Sequence, residues 1–158
     1  MPIREKLAFQ LLPRASAQQP LFAKEAILRL ERAYFGGGSS VSSLLQASVV
    51  VFYVSGADKG RGEAIGIARV TSSGAGSPLR LGNELIRQGV FTAEELNPLK
   101  GPSGHVHYFT FDSYLSFPRP VAYRDLKRLG CVGPANLITS QVVGFEKLVA
   151  LLEAAEGS

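Results

Sequence analysis

The chain has 158 residues, of which 46% are hydrophobic and 19% charged, with a formal net charge of +4 and no long charge block. A chain of this size is expected to form one domain burying roughly two-thirds of its unfolded surface, and its charge favours anionic partners only mildly. A single cysteine, Cys131, excludes an internal disulfide framework, and no segment reaches the ~20 apolar residues of a membrane span.

Residues 1–20 read as an N-terminal arm or extra element. The apolar run Leu7–Leu12 is a short strand or a helical turn, and Ala15-Ser-Ala-Gln-Gln-Pro20 is linker-like. The start, Met-Pro-Ile-Arg-Glu-Lys, has no apolar core of signal-peptide length, so the expected location is cytoplasmic with no membrane contact. From Leu21 to Tyr34 the spacing predicts a helix. Ile27, Leu30 and Tyr34 share a stripe, Lys24, Glu25, Arg29 and Arg32 face water, and Gly36-Gly-Gly38 ends it.

Ser39–Gln46 is read as a helical turn. Ser48–Ser55 is the strongest strand, β-branched or aromatic throughout and apolar on both faces, and therefore central. Gly56–Gly62 is a hairpin loop, Glu63–Thr71 returns as the next strand, and residues 72–78 form a Ser/Gly loop. Asn83–Gln88 is a short helix closed by Gly89. Thr92-Ala-Glu-Glu95 has the spacing of a capping box opening another helix.

His105–Ser116 is a third strand, and Arg119–Tyr123 an extended edge or turn. Tyr123–Leu129 is a helix stopped by Gly130. Gly144–Glu156 is a last helix with Phe145, Leu148, Leu151 and Leu152 facing inward. The sum is a mixed α+β chain with a mostly antiparallel sheet and peripheral helices.

The strand pair Val49-Val-Val-Phe-Tyr-Val-Ser-Gly56 and Glu63-Ala-Ile-Gly-Ile-Ala-Arg-Val70 resembles the hairpin of PUA-like domains of the ASCH and EVE type. So does Tyr108–Lys127, a strand leading through Pro-Arg-Pro into a helix. The resemblance covers roughly residues 21–152 and implies one PUA-like domain over 21–158, a β-pseudobarrel that often binds RNA or DNA, sometimes at a modified or flipped base. The chain departs from the family at the Gly-x-Lys-x-x-Glu-x-Arg motif of its nucleoside-acting members. The corresponding region, Phe22–Phe35, has lysine, glutamates and arginines at other spacings and lacks the glycine. The family's acetylcytidine amidohydrolases use a lysine, a threonine and a glutamate, and no catalytic role carries over here residue by residue.

Candidate binding residues are the cations that can meet phosphates and the rings that can stack on bases. Arg119, Arg124, Lys127 and Arg128 form the densest basic group, offset only by Asp125. Lys59 and Arg61 at the hairpin tip, and Arg29 and Arg32 on the first predicted helix, would line the mouth of the barrel. Tyr114 and Tyr123 are candidate stacking rings. The glycine-rich Lys59-Gly-Arg-Gly-Glu63 is not a nucleotide loop, because it lacks Gly-Lys-Ser/Thr and leads into a strand.

His105 and His107 lie two apart on one strand face, which suits zinc, although a site needs a third ligand and Asp112 falls on the opposite face. Cys131 reads as a small apolar residue near a helix end. Three functions follow. The leading one is a non-catalytic RNA- or DNA-binding module with no cofactor. The second is a nucleoside or nucleotide hydrolase using Lys24 or Glu31 with Glu63. The third is an accessory domain working beside a partner protein or a neighbouring enzyme.

Overall fold

The computed structural model describes residues 1–12, 31–36, 38–56, 62–89, 91–92, 94–132 and 141–157. Its elements in chain order are β1 (Pro2–Ile3), α1 (Glu5–Leu11), β2 (Arg32–Gly36), α2 (Ser39–Ser42), β3 (Val49–Val54), β4 (Glu63–Gly76), α3 (Asn83–Gln88), a 3-10 turn (Asn97–Leu99), β5 (Val106–Ala122), α4 (Tyr123–Arg128) and α5 (Phe145–Glu156). The strands form one mixed sheet in the order β1-β3-β4-β5-β2. β1 runs parallel to β3, with Ile3 opposite Val54, and β2 runs antiparallel to β5, with Tyr34 opposite Phe109. Among the described residues no ladder joins β1 to β2, so the expected pseudobarrel is not a closed barrel.

The chain divides into two compact units. The first comprises Met1–Ala8, Val50–Ile67 and Leu115–Ser158, and the second Phe9–Val49 and Ala68–Tyr114. In the first, α4 and α5 bury Leu126, Leu151 and Ala155 with Phe117 and Val121 of β5, Tyr53 of β3 and Ala64 of β4. Cys131 and Val132 complete this core. The cysteine is a buried free thiol, held in its neutral form because burial raises its pKa, with Lys147 opposing weakly. It behaves as the small apolar residue expected. Gly130 stops α4 in the left-handed region at φ 67°, where a Cβ would be strained. On α5 Leu151 and Ala155 are buried, and Leu152 and Ala154 pack against the same core, whereas Phe145 is 79% exposed. The expected inward face therefore holds at Leu151 and Leu152 and fails at Phe145.

In the second unit, Ala33 and Phe35 of β2 pack with Val106 of β5, Ile86 of α3 and Leu96. Phe35 meets the Phe91 ring edge-on at 5.8 Å and the Tyr108 ring at 6.1 Å. Fully burying a side chain of this size is worth about 1.5–3 kcal/mol, which far exceeds any local helix propensity over residues 32–35. This corrects the end of the first predicted helix. Arg32–Tyr34 is β-strand, because its residues pair in register with β5; Glu31 is a bend ahead of it, and residues 21–30 lie outside the described residues.

Two further corrections concern β4 and the capping box. β4 continues through residues 72–76, where a loop was expected. Its small residues suit the place: the Ser73 hydroxyl shares its one hydrogen between the carbonyls of Leu44 and Ser42, and Gly74 lies under the Tyr108 ring, where a Cβ would have no room. The capping box forms as expected, with Thr92 N–H donating to Glu95 at 2.8 Å and Glu95 N–H to the Thr92 hydroxyl at 3.3 Å. It opens a turn and a 3-10 turn in place of an α-helix, and Pro98 sits inside that turn.

Candidate functional site

Two groups of polar residues stand out, one in each unit. In the first unit, Arg124, Lys127 and Arg128 project from α4, with Arg124 91% and Arg128 76% exposed. Asp125 is their counter-charge, 3.4 Å from Arg128 and 4.0 Å from Arg124. Exposed pairs of this kind are worth about 0–1 kcal/mol, so they leave both guanidiniums available to a stronger anion. Lys127 and Arg128 also occupy the last turn, where a cation is favoured by the helix dipole.

Other cations of this unit serve helix ends. Lys147 donates to the carbonyl of Gly130 at 2.8 Å, just past α4. Arg119 lies with its guanidinium against Gly157, the left-handed cap just past α5 at φ 85°. This candidate phosphate contact thus sits beside a helix C-terminus, where a cation is favoured. Tyr123 opens α4 and is half-buried. Its backbone N–H donates to Gly62 O at 2.9 Å, and its ring lies 6.3 Å from that of Tyr53. Glu63 begins β4 in the same unit. Lys59 and Arg61 lie outside the described residues.

In the second unit, a chain of hydroxyls ends on a carboxylate. Thr71 of β4 donates to Glu31 Oε1 at 2.6 Å, and Gln88 of α3 donates to Glu31 Oε2 at 3.2 Å. Thr71 is also 2.6 Å from the hydroxyl of Thr110, which is 2.8 Å from that of Ser72. Hydrogen counting fixes the direction of the chain. An ionised carboxylate only accepts, so the single Thr71 hydrogen goes to Glu31. Thr110 must then donate to Thr71, and Ser72 to Thr110.

This places a hydroxyl against a carboxylate base that is itself oriented by an amide, the arrangement of an activated nucleophile. Sequence reasoning singled out Glu31 but missed Thr71, Thr110 and Gln88 as its partners. Those four residues come from four separate segments, and no local spacing links them.

Arg32 and Tyr114 belong to the same unit. Arg32 is 7% exposed, not water-facing. Burial is the main influence on its guanidinium and lowers its pKa, while Tyr114 acts in the opposite sense. Arg69 and Asp112 form a two-bond pair, at 2.9 and 2.6 Å. His105 is exposed ahead of β5, and His107 bonds through Nδ1 to Ser42 at 2.7 Å. Among the described residues no group of three or more His, Cys, Asp or Glu side chains could hold a metal. Lys24 and Arg29 lie outside the described residues.

Among the described residues, no helix is long and apolar enough to cross a membrane. Neither a protein-family model nor a curated protein matches the sequence. Solved structures do match. The crystal structure of ASCH from Zymomonas mobilis aligns with a TM-score of 0.69 at 12% identity, covering 97% of this chain and 92% of its own. A serine-to-alanine variant of that protein gives the same score at 12% identity over 98% of this chain and 93% of its own. A tyrosine-to-phenylalanine variant gives 0.64 at 14% over 84% and 90%. The open mixed sheet with its flanking helices is therefore the fold of an ASCH domain, of the PUA-like kind.

Proposed function

We propose that the protein is a nucleic-acid-binding module that docks RNA or DNA phosphates on the exposed basic face of α4. The observation that carries this reading is the availability of Arg124, Lys127 and Arg128, three exposed cations on one short helix with the half-buried Asp125 as their weak counter-charge. The ASCH-like fold supports it, since the family resemblance implies nucleic-acid binding, sometimes at a modified or flipped base. Docking by charge needs no chemistry and no cofactor.

The test is a fluorescence-anisotropy titration with short single- and double-stranded RNA and DNA across a salt series. Affinity should fall with salt by about 0.7 log units per log unit of salt for each phosphate neutralised on a single strand, and about 0.9 on B-DNA. Absence of binding to all four at low salt would end this reading.

One arrangement favours a second reading, a hydrolase acting on a nucleoside or nucleotide. Thr71 donates to Glu31 at 2.6 Å, and Gln88 orients the same carboxylate. Either Lys24 or Glu31 was expected to act with Glu63. The partners of Glu31 among the described residues are instead a threonine hydroxyl and an amide, and Glu63 belongs to the other unit. In this reading the Thr71 oxygen is the nucleophile and Glu31 takes its proton. Incubation with a panel of acylated and unmodified nucleosides, followed by chromatography, would show product that Glu31→Gln and Thr71→Val both abolish. No turnover of any member by the wild-type protein would dismiss it.

A further inference from the structure

Apart from the two groups above, a further contact among the described residues joins a nucleophile to a base. The Ser42 hydroxyl lies 2.7 Å from His107 Nδ1, at the close end of the O–H···N range. Both residues are half-buried. We propose that Ser42 and His107 form a nucleophile–base pair that takes up the acyl group of small carboxylic esters.

Three separate features hold the two side chains together. Ser42 is the last residue of α2, and its carbonyl lies 3.1 Å from the Ser73 hydroxyl, whose single hydrogen is shared between it and Leu44 O at 2.7 Å. The end of α2 is thereby pinned to β4. His107 sits in the β2–β5 ladder directly opposite Gly36. Glycine there has two effects. It places no side chain across from the imidazole, and it lets α2 settle on the sheet, since a Cβ at position 36 would come within 3.2 Å of Val41 Cγ2. Val41 precedes Ser42, so the close approach of one delivers the other. This is preorganisation of a hydroxyl against an imidazole, the relation that activates a serine.

The chemistry balances with no added reagent except water. With its hydrogen on Nε2, the imidazole accepts at Nδ1. The Ser42 oxygen adds to the ester carbonyl carbon while its proton passes to Nδ1. The tetrahedral adduct then expels the alkoxide, which leaves as the alcohol with that proton. Water releases the acid from the acyl-serine by the same steps. With a fluorophosphonate the O–P bond forms, the P–F bond breaks, fluoride departs and the proton stays on His107.

The experiment is labelling of the full chain with a fluorophosphonate, with the modified residue mapped by mass spectrometry, beside p-nitrophenyl acetate hydrolysis. An adduct on Ser42 is expected, with both labelling and hydrolysis lost in Ser42→Ala and slowed at least ~100-fold in His107→Gln, a typical loss on removing a general base. Circular dichroism checks that each variant is folded, and mapping on the wild-type protein needs no variant at all. An unlabelled Ser42 in the wild type would overturn the proposal. So would labelling that His107→Gln leaves unchanged. The test is independent of nucleic-acid binding and of Thr71, so its failure would not touch either reading above.

Discussion

Thr71 and Glu31 are joined by a 2.6 Å hydrogen bond across 40 positions of sequence, and the donor's only hydrogen is committed to it. That commitment orders Thr110 and Ser72 behind it, so the four groups behave as one directional network. Thr71→Val removes the network's middle. It strips one partner from the Glu31 carboxylate and takes from Thr110, 4% exposed, one of its two hydroxyl partners, leaving Ser72. Losing a hydrogen-bond partner of a buried polar group costs about 1–3 kcal/mol, so Thr71→Val should lower stability by that much in urea unfolding. Thr71→Ser keeps the hydroxyl and should lose clearly less.

Gly89 tests the packing of the second unit. Its φ of −95° is open to alanine, and at an unobstructed position the change would stabilise by about 0.4–1 kcal/mol through the unfolded chain. Here a Cβ would fall on the Phe35 ring and lie 3.1 Å from Ala33 O. Overpacking of this kind costs about 1–3 kcal/mol and outweighs the entropic gain. Gly89→Ala should therefore destabilise, and the penalty should shrink in a Phe35→Leu background, where the ring is gone. Equal penalties in the two backgrounds would place the cause elsewhere.

Asp112 supplies a pH signature. Its bonds from Arg69 hold the carboxyl below its ordinary value of 3.8. A carboxyl lowered on folding contributes stability that is present above that ordinary value and lost as pH falls through the lowered one. A carbon-13 NMR titration should find the Asp112 midpoint below 3.8, and Arg69→Met should move it back up. Both side chains meet solvent, so added salt should weaken the effect.

Much of the fold was legible in the chain. Val49–Val54 announced itself through β-branched and aromatic content, and the helices at 83–88, 123–128 and 145–156 by their spacing and their closing glycines. The failures have physical causes. Tyr34 falls at helical spacing from Ile27 and Leu30, but ring packing of Tyr34 on Phe109 at 5.4 Å, with Phe35 buried on the other side, settles residues 32–36 as strand. Residues 72–76 look like a loop in isolation, since serine and glycine signal turns. They extend β4 because hydroxyl bonds to residues 42, 44 and 110 and the Tyr108 ring need small groups there. The basic helix could be read directly, because its residues are consecutive. The Glu31–Thr71–Thr110–Gln88 network could not, because tertiary pairing alone brings those residues together.

The central claim, nucleic-acid docking on α4, is tested most directly by paired charge reversals. Arg124→Glu with Lys127→Glu changes the helix face. Arg80→Glu with Arg87→Glu makes the same net charge change at exposed positions of the other unit. The measurement is the single-strand affinity of each variant across a salt series by anisotropy. Binding should be at least ~10-fold weaker for the α4 variant, with little change in the control. Its salt slope should be shallower by about 1.4, because two phosphates are no longer neutralised. Equal weakening in both variants, or none in the α4 variant, would contradict that claim.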